Sequence, residues 1–433
     1  MSYRWISKCV VLAAVLLMVL PVLALAQTSR LEGMALQGDY VKDYTSIYTY
    51  PSQVSNVGNL VYGEVGNTGG VFGPVSDRSM GSVLGNLWDG RFGAFAIHLR
   101  ETTPGLGAGD STRGPASGSF GGDPNTNNNE EFDVMWGKKV GTASFGLRLN
   151  RSFWKRESSL PVPTTLAFDP SGGIPPGGSP DSRNLARNIF GLGGGVGFEL
   201  NPNTNVEVSL LYQSRTFEVT ANPVGGGTNE KEDTPTTYML SGRAMWQWQS
   251  NVMVTPLFKY YSFDLSRKAI TAGGTQSFDN TLKGWQVGAA ANWSLGSNDL
   301  LVWGLDFIQN KVQQSDLLFG SAPYDSTDIT ETMTPRVFAA LETHVNSWLT
   351  LRMGASKGAF TKIKFEPRSN PTKDTQTTTG STFNMNLGCG VKVGTMQFDA
   401  VLANNTYQFA NGLLGGITPA GGFFPKVTAT YSY

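Results

Sequence analysis

The sequence predicts an all-β protein: a transmembrane antiparallel up-and-down β-barrel of about fourteen strands, with an N-terminal plug-like segment. Three observations predict it. Apolar and polar residues alternate over stretches of about ten residues, longer than the five or six usual in soluble sheets. Aromatic residues sit at the ends of the apolar faces. The connections alternate between very short and long.

Composition supports this reading. Of 433 residues, 40% are hydrophobic and 15% charged, which is too polar for a bundle of membrane helices. With 53 Gly and 11% aromatic residues, the chain has the usage of strands and turns. The 33 basic residues balance the 33 acidic ones and form no stripe, so nucleic acid is excluded as a partner. After residue 26 no apolar run approaches the roughly 18 residues that a spanning helix needs.

The elements follow in order. Residues 1–26 read as a secretory signal peptide: Arg4 and Lys8 precede the apolar stretch Cys9 to Leu25, and Ala24 and Ala26 give the small-x-small cleavage pattern before Gln27. Cleavage there removes Cys9 and leaves Cys389 alone, so no intramolecular disulfide forms. Residues 27–90 lack clean alternation and read as a plug, a periplasmic segment or extra strands. Residues 91–433 read as the barrel.

In the barrel, Trp285, Val287, Ala289, Ala291, Trp293 and Leu295 interleave with Gln286, Gly288, Ala290, Asn292 and Ser294. Phe383, Met385, Leu387, Cys389, Val391 and Val393 interleave with Asn384, Asn386, Gly388, Gly390 and Lys392. A membrane barrel turns such apolar rows to lipid and polar rows to its lumen. Strands are expected at 91–101, 130–138, 142–156, 186–200, 205–220, 235–249, 252–268, 281–295, 299–313, 329–345, 348–366, 379–393, 396–409 and 423–433. Tight turns at residues 139–141, 201–204, 250–251, 296–299, 346–347 and 394–395 then share one end, and the long links share the other. Trp246, Trp248, Trp285, Trp293 and Trp303 are the expected lipid girdle. The chain closes on Val427, Ala429, Tyr431 and Tyr433, alternating with polar residues. This resembles the C-terminal signal of bacterial outer-membrane proteins, which implies the barrel-assembly machinery as a partner and the cell outer membrane of a Gram-negative-type bacterium as location.

The polar rows place Arg148, Glu199, Glu207, Arg215, Arg243, Asp306, Arg336, Arg352, Lys392 and Asp399 on the lumen. Both signs occur, so the charges either form a structural network or line a solute path. Gly191, Gly193, Gly195, Gly197, Gly388 and Gly390 also point inward, where they either help the sheet curve or admit another backbone. Chemistry is sparse. His98 and His344 are the two His, and neither is placed beside a nucleophile. The chain reads as no enzyme, with no catalytic residue, no metal site and no cofactor.

The order of signal peptide, N-terminal segment and barrel resembles the FadL-type long-chain fatty acid transporters and their relatives. In that family a Gly-rich N-terminus leads to an Asn-Pro-Ala motif; here Gly33 to Gly38, Tyr44 to Tyr50 and Tyr50-Pro51-Ser52 stand in that order, and Pro51 alone matches the tripeptide. The resemblance implies a hatch-like N-terminus that shifts to let a hydrophobic ligand leave through the wall. Passive transport of solutes across the outer membrane, hydrophobic compounds among them, is therefore the expected function. The expected partners are outer-membrane lipid and a small hydrophobic ligand. A scaffold or docking barrel for secreted proteins and a general porin are the alternatives.

Overall fold

The computed structural model describes residues 29–67, 76–85, 87–102, 127–158, 180–223, 229–232, 236–264, 267–271, 274–278, 280–296, 298–315, 326–367, 376–403 and 426–433. The proposed signal peptide lies outside them. Its strands, in chain order, are β1 (Leu60–Asn67), β2 (Ser76–Leu84), β3 (Ala94–Thr102), β4 (Asn127–Val140), β5 (Ala143–Ser158), β6 (Pro180–Asn201), β7 (Thr204–Pro223), β8 (Asn229–Glu232), β9 (Thr236–Gln249) and β10 (Val252–Asp264). The chain continues through β11 (Arg267–Thr271), β12 (Gly274–Phe278), β13 (Asn280–Leu295), β14 (Asp299–Ser315), β15 (Ser326–His344), β16 (Leu349–Pro367), β17 (Gln376–Val393), β18 (Met396–Ala403) and β19 (Lys426–Ser432). All pairings are antiparallel, and β1 pairs with β19 from Leu60↔Ser432 to Gly66↔Lys426, which closes the ring. Closure removes every edge from the ring, the condition for a sheet to stand in lipid.

The closed barrel has 16 strands, not fourteen. β8, β11 and β12 stand outside the ring, pairing beyond the end of β7 on the long-link side. The two strands beyond the expected set are β1 and β2, both within the stretch 27–90. Their alternation is blurred for a physical reason. Leu60, Tyr62 and Val83 point inward and are buried with Tyr48, Ile47 and Val54. Here the inside of the ring is filled with protein, so apolar side chains join Glu64 and Ser79 on the lining and the polar-in alternation fails.

Elsewhere alternation holds. On β13, Gln286, Ala290 and Asn292 are buried while Trp285 and Val287 are exposed on the outer wall. Trp246, Trp248 and Trp303 are exposed on outward faces, and Trp293 is half-buried on one. These four lie near the short-turn end. Trp285 lies eight residues from Trp293 on the same face. At about 3.4 Å per residue and a tilt near 40°, the two indoles are separated by about 20 Å along the barrel axis. The outward Tyr238 and Tyr260, with ring centroids 6.0 Å apart, share the upper level with Trp285. The two aromatic levels bracket a band close to the apolar height of an outer-membrane barrel.

Residues 29–57 run inside the ring as short turns: a helix at Ser29–Gly33, 3-10 turns at Gly38–Tyr40, Tyr44–Tyr48 and Pro51–Gln53, and a helical turn at Val54–Val57. Tyr40, Tyr48, Tyr50, Met34 and Val54 are fully buried.

Candidate functional site

The candidate site is the lumen. Its short-turn half carries inward carboxylates paired with cations of nearby strands. Asp133 on β4 accepts from Arg148 Nε at 2.9 Å and Asn150 Nδ2 at 3.0 Å, both on β5. Glu207 on β7 accepts from Arg243 Nε on β9 at 2.6 Å. Asp306 on β14 takes Arg336 of β15 through both oxygens, at 2.9 and 2.5 Å. Glu342 on β15 accepts from Arg352 Nε on β16 at 2.5 Å, and Arg352 Nη1 lies 2.7 Å from Asp399 on β18. That last pair reaches across β17. It can do so because Gly390 stands there; an added methyl would lie 2.7 Å from the Asp399 oxygen and 2.8 Å from the Arg352 nitrogen.

Buried charges persist only when paired and hydrogen-bonded. Here much of the remaining bonding capacity goes to residues 29–57. Arg148 Nη1 donates to the Tyr48 carbonyl at 2.7 Å. Arg243 Nη1 donates to the Asp39 carbonyl at 2.9 Å, and its guanidinium lies 4.3 Å over the Tyr50 ring. Gln53 bonds Glu207, and Lys259 pairs with Asp39. Tyr40 Oη donates to Asp306 at 3.1 Å, and Asn292 donates to the Tyr40 carbonyl at 2.9 Å. Asn386 donates to the Glu32 carbonyl at 2.6 Å, Lys426 pairs with the Glu32 carboxylate, and Ser29 touches Thr428. An irregular backbone at membrane depth needs such partners for its carbonyls, since lipid offers none.

Arg30 is the segment's own hub. It donates to both oxygens of Glu342 at 2.8 Å and to Asp43 at 2.6 Å. Burial opposes its charge, yet the two carboxylates hold the guanidinium protonated above its ordinary range. Burial pushes the Tyr44 phenol well up, and the Glu64 and Asp43 carboxylates add to the rise, so Tyr44 meets the wall as a neutral ring.

Of the charges expected on the lumen, Arg148, Glu207, Arg243, Asp306, Arg352 and Asp399 are buried there, and Arg336 is partly so. Glu199 and Lys392 are exposed at the short-turn rim, Glu199 paired with Lys139. The side chain of Arg215 lies outside the described residues. His98 is buried on the lumen face with Nδ1 3.4 Å from Asp133. Asp39, Tyr40 and Lys259 were not singled out in the sequence. Lys259 had a usable signal, a polar side chain at an inward position, as Gln286 did; Asp39 and Tyr40 had none.

Some of the inward glycines admit another backbone, one of the two expected roles. Gly388 meets the Gly33 Cα, where an added methyl would lie 2.9 Å from it, and Gly195 faces Pro51 and Ser52. Gly191, Gly193 and Gly390 are instead crossed by side chains of neighbouring strands.

Toward the long-link end the lumen changes character. Leu211 on β7, Met239 on β9, Tyr261 on β10 and Leu282 on β13 pack inward as one buried apolar cluster, with Phe263 against it. Tyr261 Oη donates to Asn310 Oδ1 at 2.5 Å. These positions alternate in register with the lumen charges, where water-filled barrels carry polar residues.

The wall is not uniformly bonded. The β5–β6 ladder runs without interruption from Ala143↔Phe198 to Ser158↔Arg183. By contrast, three successive ladders skip at one level. The β14–β15 register shifts between Asp306 and Ile308, the β15–β16 pairing omits Thr334 and Pro335, and the β16–β17 register shifts between Gly358 and Thr361. Pro335 has no N–H to give a ladder.

No protein-family model and no curated protein matches the sequence. Among solved structures, the chain is similar to a FadL homologue of Pseudomonas aeruginosa, with 11% identity, 95% of this chain and 99% of that chain covered, and a TM-score of 0.42. It is similar to the Pseudomonas putida toluene transporter TodX at 10% identity, covering 95% of this chain and 100% of that one, with a TM-score of 0.39. It is also similar to CdiB from Escherichia coli at 9% identity, covering 87% of this chain but 63% of the longer CdiB chain, with a TM-score of 0.42. The resemblance to FadL-type barrels drawn from the sequence thus recurs among the structural matches. At these identities and scores the matches carry no argument about function. Ring closure, alternation and the aromatic levels define a membrane β-barrel by themselves.

Proposed function

We propose that the protein is a passive transport barrel of the bacterial outer membrane for small hydrophobic compounds, with residues 29–57 acting as its plug. The observation that carries this reading is the apolar cluster Leu211, Met239, Tyr261 and Leu282 on the lumen side of four neighbouring ring strands. A lumen meant for water and polar solutes has no use for such a face. A hydrophobic solute entering from the long-link end meets it before it meets the plug.

The plug then bears on the exit. Tyr40 holds Asp306 and packs at a tilt against Phe338 with ring centroids 4.8 Å apart, and Asp306 in turn holds Arg336, next to Pro335. Movement of Tyr40 is thereby linked to the level at which β14 to β17 skip their ladder bonds. That level is where the wall is most easily parted, and it supports release into the bilayer. A general porin is disfavoured because the short-turn half of the lumen is packed with protein. The docking-barrel alternative gains no specific observation.

The test uses entry of the apolar dye N-phenylnaphthylamine into cells making the protein, alongside swelling of proteoliposomes in arabinose. Dye entry should be accelerated and arabinose excluded. Leu211→Gln with Met239→Gln should slow the dye at unchanged protein level. Rapid arabinose swelling with no effect on the dye would replace this reading with a porin.

A further inference from the structure

The link between β2 and β3 departs from every other short-turn link. Where its counterparts are tight turns, this one makes a wider, kinked turn through Leu87–Gly90. Three consecutive residues take the left-handed conformation: Trp88 at φ 52°, Asp89 at φ 55° and Gly90 at φ 71°. Gly and Asp adopt this conformation readily, but for the bulky Trp88 it is disfavoured, and such strain survives where surrounding structure imposes it, often at functional surfaces. The link is held from below and from the side. Gly85 N–H donates to Asn59 Oδ1 at 2.7 Å, Trp136 Nε1 donates to the Phe92 carbonyl at 2.6 Å, and Lys138 Nζ donates to the Arg91 carbonyl at 3.0 Å.

The strained turn exposes an aromatic surface. Trp88 is 60% exposed and Phe92 52% exposed. The Trp88 indole stands edge-on to Phe92 at 5.7 Å and to Phe95 at 5.9 Å. Phe95 is on the outward face of β3, between the buried Ala94 and Ala96, and it begins the row that continues through exposed Ile97 and Leu99. The cluster therefore joins the outer wall rather than the mouth of the lumen. The exposed Arg91 lies 5.6 Å over the Phe92 ring, with Lys138 beside it and the exposed Asp89 as the one carboxylate in the turn.

We propose that Leu87–Gly93 is a membrane-interface anchor whose partner is the phospholipid leaflet at the short-turn end. Trp88 and Phe92 enter the boundary between head groups and acyl chains, continuous with the lipid-facing row of β3. Arg91 and Lys138 keep their long stems on the aromatic surface and their cationic ends at the level of the lipid phosphates. Amphipathic rings and basic side chains together are what that boundary favours. Continuity with the lipid-facing wall decides for lipid over a periplasmic protein, which would meet a surface turned toward water.

The experiment is depth measurement by fluorescence quenching on the full chain. In a Cys389→Ser background, Trp88→Cys is labelled with the polarity-sensitive dye NBD and the protein is folded into phosphatidylethanolamine–phosphatidylglycerol vesicles. Asn346→Cys, in the exposed link between β15 and β16, is the comparison. NBD at position 88 should lose fluorescence to lipid carrying a nitroxide near the head group and resist aqueous iodide. NBD at position 346 should do the reverse. Phe92→Cys, labelled in parallel, keeps Trp88 in place and should behave as position 88 does. Iodide quenching at both 88 and 92 equal to that at 346 would overturn the proposal and make the aromatic surface one for a soluble partner.

Discussion

At Gly354 the lack of a side chain admits residues 29–57. The Met34 carbonyl oxygen occupies the space a side chain would take, so Gly354→Ala cannot coexist with the segment as placed. At Gly194, which faces outward, an added methyl meets nothing within 4 Å. Gly354→Ala should therefore raise single-channel conductance in a planar bilayer, while Gly194→Ala should leave it unchanged. The same scale tests the lipid face. Leu210 on β7 and Leu200 on β6 both point outward, 55% and 67% exposed, but Leu210 lies mid-strand and Leu200 beside a tight turn. Arg at the bilayer midplane costs about 2–4 kcal/mol and near the interface about 0–1 kcal/mol. Folding equilibria in lipid vesicles should thus show Leu210→Arg far more destabilised than Leu200→Arg. Inward positions are a less gentle control than alternation implies. Asn386 faces inward, yet it is buried and bonded to the Glu32 carbonyl rather than to lumen water.

Elements differ in how clearly the sequence announces them. β13 and β17 were legible because their two faces meet different solvents, lipid outside and polar groups inside. β1 and β2 were not, because both faces meet apolar neighbours where Tyr62 and Val83 pack on Tyr48 and Val54. The residues 29–57 have no period at all; their conformation is dictated by partners more than 100 positions away, such as Arg243 for Asp39 and Glu342 for Arg30. Alternation put Arg243 on the lumen but could not name what it holds. A second property of the elements is invisible to pattern, the local loss of ladder bonds in β14 to β17. It predicts uneven backbone protection. Amide hydrogen exchange in lipid nanodiscs should be faster for residues 333–337 and 358–361 than for residues 192–197 of β6, whose ladders on both sides are continuous. Uniform protection along all of these strands would remove the wall-exit route while leaving the barrel intact.

For the whole molecule, the decisive quantity is what a ring of 16 strands encloses. Barrels of 16 to 18 strands leave an aqueous channel when nothing fills them. Among the described residues the filling is contributed by residues 29–57, bonded to strands around the ring, and the wall is paired independently of it. Deleting residues 29–57 keeps β1 and its pairing with β19, and it leaves Asp133–Arg148, Glu207–Arg243, Asp306–Arg336 and Glu342–Arg352 matched across their strands. Lys259 loses Asp39, but it then faces water rather than a dry core. The truncated chain should therefore still insert, with heat-modifiable mobility in gels, and should conduct ions as an open pore. If it inserted and its conductance matched that of the full chain, the segment would not be the plug, and a gated route for hydrophobic compounds would lose its gate. The ion-pair ring adds a graded form of the same test. Arg30→Gln removes the segment's bond to Glu342 and its internal bond to Asp43 while leaving Glu342 with Arg352. It should give conductance that flickers between the closed level of the full chain and the open level of the deletion, since one hub is lost while the Asp39, Tyr40 and Gln53 bonds remain.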